Sequence, residues 1–172
     1  KPDFDCDVEI VVDTEMPERN AYHTFRGGEP IVAFTVPMIL DARNDDEIAF
    51  VMGHEYGHLV GEHISKKTQQ AVVGGLILGG LAAAANANMA TNPYYDQAAG
   101  QRRVQDMTEV GMAAGSMAYS QDYESEADVI GTYIAAAAGY DPVRGARFFA
   151  RPEDARTDTG QLSFWGTHPP DD

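Results

Sequence analysis

The sequence predicts a mostly helical α+β fold with a small antiparallel sheet packed on one of its helices. Three observations carry this. Short β-branched segments fall before residue 40, and helical spacing of apolar residues runs from Asn44 to about Ala150. The first of those helices holds His54-Glu55-Tyr56-Gly57-His58, two imidazoles and a carboxylate in one turn and a half.

Taken in order, residues 7–12, 20–25 and 31–36 read as strands. Arg26-Gly27-Gly28-Glu29 supplies the turn between the second and third. Asn44 with Asp45 and Asp46 gives an N-cap and negative charge for a helix start. Ile48, Val51, Met52, Leu59 and Val60 then recur at helical spacing, so this helix is expected over 45–63. Further helices are expected over 65–90, 101–118 and 122–138, the last ending at Gly139 as a C′ glycine. Asp141-Pro142 opens a short helix reaching about Ala150, and residues 151–160 read as loop. No internal repeat or linker divides the 172 residues, which are expected to form a single domain. The chain starts at Lys1 rather than Met, as expected of a mature or trimmed product or of a fragment, and its stop just after a Pro pair reads as a cut rather than a finished element.

Composition narrows the function. A net charge of −15 leaves no basic footprint for nucleic acid and disfavours electrostatic docking on an anionic membrane. One cysteine, Cys6, excludes an internal disulfide and any multi-cysteine metal site. Residues 71–90 carry no formal charge over the length of a membrane span, but glycines and asparagines interrupt them. A tightly packed or mobile helical hairpin beside the active site is the leading expectation there, with an amphiphilic element touching membrane or a partner as the second and a true membrane span as the third.

The His54–His58 segment is an H-E-x-x-H motif. Positions i and i+4 share a helical face, so both imidazoles can bind one zinc ion. Glu55 is rotated about 100° away. It can therefore reach the attacking water without binding the metal and serve as general base and acid. A third protein ligand is needed. Position 64 is Ile64, which rejects the H-E-x-x-H-x-x-G-x-x-H pattern, and His63 is read as a helix C-terminal residue favoured by the macrodipole. The better candidate is Glu124, with Asp128 four residues on as a hydrogen-bond acceptor for a ligand histidine. Glu126 is the runner-up ligand.

Gly53-His54-Glu55-Tyr56-Gly57-His58, followed by Glu124-x-x-Ala127-Asp128, resembles the M48 peptidases, zincin-type enzymes whose third ligand is the first Glu of an E-x-x-A-D segment. Asn20-Ala21-Tyr22 with Gly27-Gly28, Ala138-Gly139-Tyr140-Asp141-Pro142 with Phe148-Phe149, and Gly166-Thr167-His168-Pro169 are similar to further segments of that family. Gln121 departs from the family pattern, which commonly has Arg there.

The resemblance implies a metalloprotease domain over residues 1–172. It would hold one zinc ion through His54, His58 and Glu124, with catalysis by Glu55 and Asp128 behind a ligand histidine. It also implies that His168 assists the oxyanion or gates the metal. The implied substrate is an extended or unfolded polypeptide, in the bacterial periplasm or cell envelope. The alternative is a zinc-containing chaperone-like module with weak proteolysis; Glu55 favours the enzyme. Oligomeric state is open.

Smaller expectations attach to individual residues and short segments. Gly53, Gly57 and Gly61 each cost a helix about 1 kcal/mol relative to Ala, which calls for close approach of a neighbouring backbone, the sheet or the fourth helix. The strand over 31–36, or its neighbour, is the expected edge for an extended substrate, ended by Pro37. Trp165, Phe164, Tyr94 and Tyr95 are candidates for a specificity pocket, with core or lid packing favoured. His23 is read as structural and Cys6 as incidental.

Overall fold

A computed structural model of the chain describes residues 7–117 and 120–150. Cys6, Phe164, Trp165, His168 and the expected loop over 151–160 lie outside the described residues. In chain order the elements are β1 (Glu9–Asp13), β2 (Ala21–Arg26), β3 (Glu29–Thr35), α1 (Val36–Asp41), α2 (Asp45–Val60), α3 (His63–Met89), α4 (Gln97–Met117), α5 (Ser120–Ala137) and α6 (Pro142–Ala146). They group into two compact units. One is built from the segments up to Glu62 and from Gln121 onward, the other from His63–Ser120.

In the first unit the sheet order is β1-β3-β2. The β2–β3 hairpin turns on Gly27 and Gly28, whose φ values of 63° and 96° suit glycine at both positions of a two-residue loop. The sheet is mixed rather than wholly antiparallel, because β1 runs parallel to β3, with Ile10 opposite Val32. No tight turn joins β1 to β2, so β1 is free to take the other side of β3. That makes β3 the inner strand, and its backbone is already paired on both sides. The expected substrate edge therefore moves from residues 31–36 to a neighbouring strand.

Thr35 ends β3 and caps α1, its side chain accepting a hydrogen bond from the Met38 backbone N–H at 3.3 Å. Pro37 falls in the first turn of α1, where its fixed φ and missing N–H cost nothing. It opens a helix that the sequence reading did not include. Asn44 caps α2 through the Glu47 N–H at 3.1 Å. That helix stops at Val60 rather than at residue 63, because Gly61 caps it and Glu62 takes a φ of 56°. His63 is consequently the first residue of α3, not the last turn of α2.

The C-terminal end of α5 closes as expected. Gly139, at φ 88°, donates to Ala136 O and Tyr140 donates to Ala135 O, the paired bonds of a Schellman motif. The next helix, α6, is shorter than expected. Asp141 caps it, and the backbone N–H of Asp141 and the side chain of Arg144 both engage the Asp46 carboxylate at the start of α2. The core of this unit is Ala21, Val32, Phe34, Met38, Val51 and Phe148.

Glycines join α2 to α5. A Cβ on Gly53 would lie 2.8 Å from the Gly131 carbonyl oxygen, and one on Gly57 2.8 Å from that of Ala127. Residue numbers rise along one helix as they fall along the other, so the two run antiparallel with backbones touching. Gly61, by contrast, is a cap.

In the second unit α3 and α4 form an antiparallel hairpin. A Cβ on Gly74 would meet the Gly111 carbonyl, and one on Gly115 that of Gln70. Val73, Leu76, Ile77 and Leu81 are exposed along α3. Among the described residues, α3 is the one helix long and apolar enough, by length and composition, to cross a membrane.

Gly57→Ala places a methyl group against main chain that cannot rotate away. It is expected to destabilise the chain by about 1–3 kcal/mol in urea unfolding. Gly80→Ala, with nothing within 4 Å, is the control and is expected to leave stability unchanged or raise it. Equal midpoints for Gly57→Ala and wild type would refute the close approach.

Candidate metal centre

The α2–α5 contact determines which side chains meet. His54 and His58 project from α2 on one face, one turn apart, with ring centroids 4.6 Å from each other. From α5, Glu124 reaches both. Its Oε2 lies 3.4 Å from His54 Nε2 and 3.3 Å from His58 Nε2, and the two nitrogens are 3.0 Å apart. All three residues are buried.

These distances test whether the group suits a metal ion. Zinc bonds of 2.0–2.1 Å in tetrahedral array separate the ligand atoms by about 3.3 Å. The three observed separations lie around that value. The donor set of two imidazoles and one carboxylate is also chemically apt for zinc. His54, His58 and Glu124 could therefore hold a divalent ion.

Asp128, one turn beyond Glu124, accepts a hydrogen bond from His54 Nδ1–H at 2.7 Å. That contact leaves Nε2 of His54 turned to the Glu124 side. Phe149, just after α6, packs on the same ring at 5.2 Å between centroids. Burial opposes a charge on His54, but hydrogen bonds to Asp128 and Glu124 overcome it and push its pKa up to about 9. On His58 burial prevails and pushes the pKa below the ordinary histidine value.

Glu55 is fully buried. Its Oε2 lies 3.2 Å from Nδ1 of His23 on β2. The His23 ring also stacks on His58, 5.3 Å between centroids and 11° from parallel. The structure thus brings His54, Glu55, His58, Glu124 and Asp128 together. It adds His23 and Phe149, which sequence reasoning did not place there. No spacing rule links a residue on a strand to a helix three elements later, so His23 left no signal. Phe149 adjoins a family-like segment, but nothing in that segment aimed its ring at His54. Of the proposed pocket aromatics, Tyr94 is almost wholly exposed and belongs to the second unit. Glu126, the runner-up ligand, is not part of the cluster that could hold an ion.

Comparison with known proteins agrees with this geometry. The sequence model of peptidase family M48 matches residues 3–172. A Vibrio cholerae protein described as "Putative beta-barrel assembly-enhancing protease" is 29% identical over 150 residues, covering 78% of this chain and 26% of that protein. The chain thus spans about a quarter of the length of that curated relative. No solved structure matches.

The raised His54 pKa has a signed consequence. In the metal-free chain the imidazolium contributes stability that is fully present below pH 6.5 and is lost as pH rises through about 9. A metal entering below that pH must displace the proton. Apparent metal affinity, measured by chelator competition, is therefore expected to rise with pH until about 9 and then flatten in its dependence on His54. Asp128→Asn should bring the His54 titration down, as followed by NMR. A His54 titration unmoved by that change would contradict the assignment.

Proposed function

Because this chain belongs to peptidase family M48, we propose that it is a zinc-dependent endopeptidase cleaving extended segments of unfolded or misfolded polypeptides. The observation that supports this most directly is the buried convergence of His54, His58 and Glu124 beside the buried carboxylate of Glu55. On this reading those three residues hold one zinc ion and Asp128 positions His54. Zinc, when bound, supplies Lewis-acid activation of water and of the scissile carbonyl.

The remaining chemistry belongs to the chain's own side chains. Glu55 accepts a proton from the attacking water as the water oxygen bonds to the carbonyl carbon. It returns that proton to the departing amine nitrogen as the C–N bond breaks. Burial keeps Glu55 out of bulk water, so the proton is retained for the second transfer. An extended substrate adds through main-chain hydrogen bonds to β2, an edge strand of the sheet and the one that carries His23 to Glu55. Such binding reads backbone more than side chains, which suits unfolded substrates. His168, outside the described residues, keeps the oxyanion or gating role that the resemblance implies.

We read residues 1–172 as one catalytic domain in which residues 63–120 are carried between its two segments. A role in cell-envelope protein quality control is part of this reading, and the relative's name, which speaks of a protease that enhances beta-barrel assembly, supports it.

Glu55→Gln preserves the size of the side chain and removes its basicity. The variant is expected to keep its bound zinc, measured by metal analysis, while hydrolysis of an unfolded protein falls about 100-fold or more. Equal cleavage by variant and wild type would overturn the peptidase reading.

A further inference from the structure

We propose that His23 is a positioning residue for Glu55: its Nδ1–H donates to Glu55 Oε2 and holds the carboxylate in the orientation from which it takes and returns a proton. The proposal rests on the reading of Glu55 as the general base.

His23 lies opposite Val32 across the β2–β3 ladder. Directly paired residues project to the same face of a sheet. Val32 is buried in the core, so His23 faces inward toward α2. There its ring meets two groups of the site at once. One contact is with Glu55 Oε2 at 3.2 Å, and the other is the near-parallel stack on His58. The stack fixes the plane of the imidazole, and the fixed plane aims Nδ1.

The chemistry of the pair then selects one tautomer. An ionised carboxylate can only accept, so the proton of neutral His23 resides on Nδ1. The other nitrogen, Nε2, is buried and has no hydrogen-bond partner among the described residues. A buried polar atom left in that state is costly, and alone it would favour an apolar residue at this position. The offset comes from what Nδ1 does. One oxygen of Glu55 is tethered, so the carboxylate cannot swing as its charge is lost and regained. Constraint of this kind matters most where a small misplacement costs much rate.

Nitrogen NMR of the wild type, together with metal content, thermal stability and kinetics of His23 variants, tests this. Nitrogen NMR on zinc-loaded wild type is expected to show His23 in the Nδ1–H form, which free histidine disfavours. His23→Phe keeps a flat ring to stack on His58 and deletes the donor. It is expected to retain bound zinc and thermal stability while kcat falls about tenfold to 100-fold with KM little changed. His23→Asn places an amide N–H near the Nδ1 position and is expected to recover most of that kcat. In a Glu55→Gln background, His23→Phe should cost nothing further.

An Nε2–H form in wild type would overturn the proposal. Loss of zinc from His23→Phe, a kcat equal to wild type, or an Asn variant as slow as the Phe variant would also overturn it. An inactive wild type would instead count against the peptidase reading, and the tautomer alone would then decide whether His23 donates to Glu55.

Discussion

The site depends on backbone contact between two helices. Gly53 and Gly57 on α2 face Gly131 and Ala127 on α5, and no Cβ fits at either glycine. Two glycines inside a helix cost roughly 2 kcal/mol of propensity relative to alanine. In exchange the axes approach closely enough for two carboxylates on α5 to reach histidines on α2. Glu124 is buried and charged groups in such a place are expensive unless paired. The pairing here is set by main chain, which cannot drift, rather than by long side chains that could.

The rest of the first unit can be understood as bracing for that contact. Each histidine is held from a second direction. On His54 the braces are Asp128 at Nδ1 and the ring of Phe149. On His58 the brace is the His23 ring. Phe148, fully buried beside Phe149, anchors the C-terminal segment in the core formed by Val32, Phe34 and Met38. Asp46 ties α6 to the start of α2 through the Asp141 backbone and the Arg144 side chain. Sheet, core and α6 thus converge on the orientation of two imidazole rings, and that orientation is what a metal or proton would read.

What could be read from the sequence was local. The i, i+4 spacing placed His54 with His58 and Glu124 with Asp128 because a helix repeats every 3.6 residues whatever surrounds it. The glycines at 27, 28 and 139 were readable for the same reason, since positive φ is a property of one residue. The demand for a neighbour at Gly53 and Gly57 was also visible, and α5 meets it. Three features escaped because they are settled by partners far along the chain. The parallel seat of β1 depends on which side of β3 is vacant. The stop of α2 depends on Glu62 accepting a left-handed conformation, which its identity does not advertise. The position of His23 depends on sheet register and helix packing together, so a histidine in a strand reads as structural until both are known.

The same contact that prepares His54 for a metal also gives it a proton to lose. With a pKa of about 9, the ring is protonated in the metal-free chain at neutral pH, where its charge offsets part of that of Glu124 and Asp128. Removing that proton at pH 7 costs on the order of 3 kcal/mol at 1.36 kcal/mol per pKa unit. Zinc bound by protein ligands can return on the order of 10 kcal/mol, so under the metallopeptidase reading the metal wins the competition with room to spare. The proton then acts as a placeholder. It lets two helices bring carboxylates together in the metal-free fold without burying unbalanced negative charge, and it leaves when a divalent ion supplies that balance instead. On the same reading Asp128 serves both states with one hydrogen bond, stabilising the imidazolium in the metal-free chain and orienting the neutral ring when an ion is bound.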